Sequence, residues 1–163
     1  MKYAEEKKSL DERLLNFLLN ENEMIDVKAA VINAIGWDFQ STSNAKIFLK
    51  AIQEKYSAET DILNISGVTA AELMCYGYLL AMDDYFDVFY AATITQEAAN
   101  KSNSFTIHFI NAIVAGQKEF DYNFCAIWEA TRKVLNDKSL FRDMRRNAIQ
   151  KSVNYLILYK SYC

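Results

Sequence analysis

No proline occurs anywhere in the 163 residues, where average usage of about 5% would place roughly eight. Proline ends helices by removing a backbone donor and clashing with the preceding turn. A chain that lacks it is free to run helix after helix. Only Gly36, Gly67, Gly77 and Gly116 supply extra backbone freedom. No segment shows the polar–apolar alternation of a half-buried strand. The expected fold class is therefore all-α.

Capping residues set the expected helix starts. Ser9 with Glu12, and Thr69 with Glu72, fit the capping box, in which a hydroxyl and a carboxylate satisfy orphan amides reciprocally. Asp26, Ser43, Asp84, Ser104, Asp121 and Ser139 also precede apolar periodic stretches. These signals predict about eight helices, over 10–22, 27–36, 44–56, 70–82, 85–100, 105–116, 122–136 and 140–161. Leu10, Leu14, Phe17 and Leu18 form one stripe, as do Ala45, Phe48, Leu49, Ile52 and Tyr56. The last helix carries Leu140, Phe141, Met144 and Ala148 and becomes apolar nearly all round at 155–159, so its end is expected to be buried.

Residues 57–68 are the only long connection, and no Gly, Ser or Pro linker divides the chain, so 1–163 reads as one domain. Ile32-Asn33-Ala34-Ile35 recurs as Ile110-Asn111-Ala112-Ile113, 78 residues on, with an apolar helix midway near 71–74. That spacing is twice a period of about 39, within the range of helical-hairpin repeats. An irregular, solenoid-like stack of hairpins is expected, with a compact bundle as the alternative. At 52% hydrophobic and 24% charged, a domain of this size buries roughly 70% of its unfolded surface and needs no staple.

Cys75, Cys125 and Cys163 are few, odd in number and irregularly spaced. With no C-x-x-C and one histidine, they predict no structural zinc. Two buried thiols and one loose terminal thiol in a reducing cytoplasm are expected. No apolar run follows Lys2, which predicts no secretory leader. The densest apolar run, Leu73 to Met82, falls short of the ~18–20 residues that span a bilayer. The abundance of Lys, Asn, Ile and Tyr fits an AT-rich bacterial genome.

Asp83-Asp84-Tyr85-Phe86-Asp87 is the sharpest enzyme-like string. On a continuous helix its three carboxylates lie on one side, opposite Tyr85, Val88, Phe89 and Ala92. The string resembles the DDxxD motif of isoprenoid synthases, which are also all helical. That resemblance implies magnesium ions held by Asp83, Asp84 and Asp87 that bind a substrate diphosphate. It covers five residues; Asn136-Asp137-Lys138-Ser139 departs from the second metal motif such enzymes need, and the chain is about half their length. The competing expectation is a helix junction, with Asp84 as a cap and its neighbours solvated. His108, the only histidine, shares a polar face with Asn111 and Lys118 and reads as a surface side chain.

Charge divides unevenly. Residues 1–121 carry 18 acidic and 10 basic side chains, and residues 122–163 carry 8 basic and 3 acidic. Arg142, Arg145 and Arg146 would form a basic knuckle on the last helix, the basis of a nucleic-acid alternative. The same arginines could instead complete the electrostatics of acidic neighbours. Asp38, Asp61, Asp83, Asp84, Asp87 and Asp121 all fall near expected helix ends, and Trp37, at a helix end beside Asp38, is the aromatic most expected at a surface. With no catalytic constellation in view, the leading expectation is a non-catalytic, cytoplasmic protein-binding domain. Its most concrete form is a small inhibitor or immunity-type protein, without cofactor or metal, that captures a basic protein partner. Trp37, Asp38, Asp83, Asp84, Asp87 and Tyr90 are the candidate contact residues.

Overall fold

The computed structural model describes residues 1–37, 43–120 and 122–163, so Asp38 and Asp121 lie outside the described residues. Among them the chain forms nine α-helices, two 3-10 segments and no strand beyond one isolated bridge. The helices are α1 Lys2–Lys7, α2 Glu12–Leu19, α3 Ile25–Ile35, α4 Asn44–Tyr56, α5 Ala70–Asp83, α6 Phe89–Asn100, α7 Phe105–Lys118, α8 Phe124–Asn136 and α9 Arg146–Leu156. A 3-10 turn covers Ile62–Asn64, and a 3-10 tail, Ile157–Tyr162, follows α9. No helix among the described residues is long and apolar enough to cross a membrane.

Local side-chain caps begin four of the nine described helices, α2, α5, α7 and α8. Thr69 and Glu72 make the expected capping box at α5, and the Ser104 hydroxyl accepts from the Ile107 amide at α7. At α2 the expected Ser9 box is replaced: the Asp11 carboxylate accepts from the Leu14 amide at 3.0 Å. A carboxylate directly before the helix satisfies the same orphan donor without help from Glu12. Asp26 does not begin α3, whose N-cap is Met24; its carboxylate serves a distant arginine instead.

Helix α5 is the centre of the molecule. Ten of its residues, from Glu72 to Met82, are buried, so it is apolar all round because it is enclosed all round. It packs on α3, α4, α6 and α7. From α4 to α9 consecutive helices pack in order, as in a hairpin stack, whereas α1 packs on α3 and the enclosure of α5 makes the whole compact. The two Ile-Asn-Ala-Ile segments lie in α3 and α7, which both pack against α5. Helix α6 approaches α5 closely at Gly77, where a Cβ would stand 2.6 Å from Thr95 Cγ2 and 3.2 Å from the Ala91 carbonyl oxygen.

Glu72 ties α4 to α5. Its buried carboxylate accepts from Lys55 Nζ at 2.8 Å, the Tyr56 hydroxyl at 2.9 Å and the Thr69 amide at 2.8 Å. Burial pushes the Glu72 pKa upward, but these donors together outweigh it and hold the carboxyl below its ordinary range.

Two hydrophobic clusters share α7. Ile107, Ile110 and Val114 face the larger one, built on α5. Phe105 and Phe109 face the smaller, with Ile127, Leu140 and Leu156. The segment 137–145 is not the expected start of a last helix. The Phe105 amide donates to the Phe141 carbonyl at 2.9 Å, Phe141 donates to the Asn103 carbonyl at 2.8 Å, and Asp143 Oδ1 accepts from the Thr106 amide and hydroxyl. A non-helical segment here satisfies the orphan amides at the start of α7, which a helix over 140–145 would leave bare.

The expected burial of the chain's apolar end is also corrected. Leu156 is buried, but Tyr155, Ile157, Leu158 and Tyr162 are exposed. Nor is Cys125 a buried thiol or Cys163 a loose one: they form a disulfide across 38 residues, leaving Cys75 as the buried thiol. The last helix stops at Leu156, and the 3-10 tail turns back along α8 to bring Cys163 to its first turn.

Candidate functional site

The five-residue turn between α5 and α6 holds Asp84 and Asp87 of the expected contact residues, with Asp83 and Tyr90 in the flanking helices and Trp37 against Tyr85. It is not a continuous helix: α5 ends at Asp83 and α6 begins at Phe89. Asp84 Oδ1 accepts from the amides of Phe86 and Asp87 at 3.0 and 3.1 Å, folding 84–87 into an Asx turn. Gln117 of α7 donates its side-chain amide to the carbonyls of Ala81 and Tyr85, pinning the turn from beneath. Val88, 2% exposed, anchors its far end in the core. The result is a braced loop that drives Phe86 outward, 88% exposed.

This geometry separates the three carboxylates. Asp83 Oδ2 accepts from the Ala45 amide at 2.7 Å and so caps α4 from across the fold. Asp84 caps its own turn rather than the start of α6, and Asp87 stands exposed beyond it. Their oxygens do not gather within 4.8 Å of one another; the group of possible ligands that does so among the described residues is Cys125, Glu129 and Cys163. There the sulfurs are bonded to each other, and Glu129 is paired with Arg132 at 2.6 Å.

A run of aromatic rings leads away from the turn. Trp37 meets Tyr85 edge-on at 4.8 Å, and Tyr85 meets Phe86 at 5.3 Å and Phe120 at 6.0 Å. Phe120 meets Phe124 at 5.3 Å, which stacks on Tyr159 at 6.0 Å and meets Tyr162 at 4.9 Å. Trp37, Phe86, Phe124 and Tyr162 are each more than a third exposed. Such edge-to-face chains are rigid and amphipathic. Sequence reasoning named Trp37 but missed Phe86, Phe120, Phe124 and the tail tyrosines. The signal for Phe86 lay inside the acidic string, where a reading directed at carboxylates passes over the ring between them.

Tyr90 lies on the first turn of α6, and its hydroxyl donates to Asp61 Oδ2. Burial and that carboxylate raise its pKa well above the usual tyrosine range. The basic knuckle is not a helical face: Arg142 and Arg145 precede α9. Arg145 grips the buried Asp26 through Nε at 2.6 Å and Nη2 at 3.0 Å, and the guanidinium beside Asp26 lowers its pKa. Arg142 lies 4.3 Å over the Phe105 ring and donates to the carbonyls of Leu135 and Asp137. His108 is half-buried, its Nε2 2.9 Å from the Ser102 carbonyl oxygen.

An open groove of about 830 Å³ lies between α6, α7 and α8. Its polar side chains engage one another: Asn111 donates to Gln96 at 3.1 Å, and Lys118 lies 5.2 Å over the Phe89 ring. No family model, curated protein or solved structure matches the chain.

Proposed function

We propose that the chain is a non-catalytic binding module that captures a basic protein partner, in the manner of a small cytoplasmic inhibitor or immunity-type protein. The observation that carries this reading is the braced α5–α6 turn, which holds Phe86 almost fully exposed between the carboxylates of Asp84 and Asp87. An aromatic side chain fixed in place gives up little entropy on binding and is the commonest kind of interface anchor. Flanking carboxylates, in a segment where acidic residues outnumber basic ones by 18 to 10, steer a cationic surface toward it. Trp37 and Tyr85 extend the apolar contact on one side, while Asp83 acts from within by capping α4 and the exposed Tyr90 is held by its bond to Asp61.

The test is affinity capture of the tagged protein from its native lysate at low and high salt, with the retained proteins identified. The reading expects one stoichiometric basic protein, retained at low salt by the wild type. Phe86→Ala should weaken it by about 30-fold or more, as for an interface anchor. The double variant Asp84→Asn, Asp87→Asn keeps the acceptor for the turn; it should slow association and flatten the salt dependence. A partner retained equally by all three forms, or no retained partner, would refute it.

A further inference from the structure

The disulfide between Cys125 and Cys163 closes the tail over the aromatic run that the docking surface shares. Cys125 lies on the first turn of α8, half-buried, and Cys163 is exposed, so neither cysteine is enclosed in the core. None of the tail's six residues is fully buried, and Tyr159 is the one packed against the smaller cluster. What the tail covers is specific. Tyr159 stacks on Phe124 and stands 6.3 Å from Phe120, and Tyr162 lies 4.9 Å from Phe124 at a tilt. The remaining cysteine, Cys75, is fully buried, and burial pushes its thiol up to about 12, so it takes no part in exchange.

We propose that Cys125 and Cys163 form a reversible redox clasp: oxidised, it holds the tail over Phe120 and Phe124; reduced, it frees the tail and opens both rings. The co-reactant is a low-molecular-weight thiol–disulfide couple such as glutathione. In closing, the Cys125 thiolate attacks one sulfur of the small disulfide and expels a thiolate, forming a mixed disulfide. The Cys163 thiolate then attacks the Cys125 sulfur and expels the second thiolate. Two protein thiols are oxidised and one small disulfide is reduced to two thiols; opening runs the same steps in reverse. Cys125, in the first turn of a helix, is the sulfur whose thiolate the helix amides favour. As regulation of the docking surface the clasp rests on the function proposed above, but its chemistry is measured without any partner.

The experiment uses the full chain equilibrated in oxidised or reduced glutathione. Thiols are counted after denaturation, amide exchange is followed along the chain, and a hydrophobic dye reports exposed rings. The clasp requires one thiol per chain when oxidised and three when reduced. On reduction, exchange over 157–163 should quicken by at least about tenfold, dye binding should rise, and α5 should be unchanged. Cys163→Ser should behave as the reduced form in both buffers. Three thiols in oxidised glutathione, glutathione adducts in place of the internal bond, or exchange and dye signals that ignore reduction would each overturn it. An opening clasp in a protein that captures no partner removes the docking reading alone. Capture of a partner alongside flat thiol, exchange and dye readouts removes the clasp alone.

Discussion

Removing Arg145 should cost far more than removing its partner. Asp26 is 3% exposed at its side chain while Arg145 is 59% exposed, and they are joined by three hydrogen bonds across 119 residues. Replacing Arg145 with Met removes the two guanidinium bonds and leaves the buried carboxylate a backbone amide at position 145 but no countercharge, which places the cost toward the lower end of the range for a broken pair. Breaking a buried pair this way costs about 3–5 kcal/mol. Asp26→Asn leaves an arginine that water rehydrates, so its cost is that of two charged hydrogen bonds largely replaced, about 1–2 kcal/mol. At this chain length the first change lowers the melting temperature by roughly 10 °C and the second by about a third of that.

The pH dependence provides the sharper test. Asp26 is held below its ordinary carboxyl range by Arg145, so its contribution is complete above about pH 4, the unfolded value, and is lost as pH falls through the lower folded one. In Arg145→Met the stranded carboxyl instead titrates high and sheds its penalty by taking up a proton on acidification. The difference between wild type and Arg145→Met, measured by urea unfolding, should therefore shrink markedly from pH 7 to pH 3. Equal costs for both substitutions, or a gap that does not change with pH, would refute the reasoning.

Gly77→Ala should destabilise by about 1–2 kcal/mol: overpacking against Thr95 and Ala91 outweighs the helix propensity gained. Adding Thr95→Ser, which removes the clashing methyl and keeps the hydroxyl bonded to Asn111, should recover part of that loss in the same denaturation assay. Asp83→Ala should cost about 1–2 kcal/mol as a lost cap on α4, whereas Asp87→Ala should stay within about 0.5 kcal/mol. A thermal scan with magnesium and pyrophosphate should leave the wild type unmoved; a joint upward shift would restore the diphosphate reading of the acidic string.

What the sequence made legible was whatever rests on neighbours along the chain. The absence of proline, the Thr69–Glu72 box and the Ser104 cap locate α5 and α7 to within a residue or two, because capping is settled within one turn. Helix α1 went unread because Ala4 is its one buried residue and so small a stripe leaves no period. The non-helical run at 137–145 was missed because its reason lies in the amides of Thr106 and Phe105, more than thirty residues earlier. The Asp26–Arg145 pair and the Cys125–Cys163 bond likewise join segments that nothing in their spacing connects. At the α5–α6 turn the residue types were visible, but their directions were not. Gln117 and Val88 decide that Asp83 turns inward and Phe86 outward, and both act through packing that composition does not encode.

Helix α7 has an inside on both sides, and that constrains how the protein is made. A chain emerging from the ribosome in order completes α1 through α6 while α5 still has one flank open, since Ile107, Ile110 and Val114 close it. Once α7 docks, Phe105 and Phe109 face outward with nothing to cover them until Ile127, Leu140 and finally Leu156 arrive. For the synthesis of some forty to fifty residues the nascent chain presents two phenylalanines, fully buried in the finished fold, to whatever lies nearby. At about 5–20 residues per second that interval lasts several seconds, long enough for a chaperone, or a neighbouring nascent copy, to find them first.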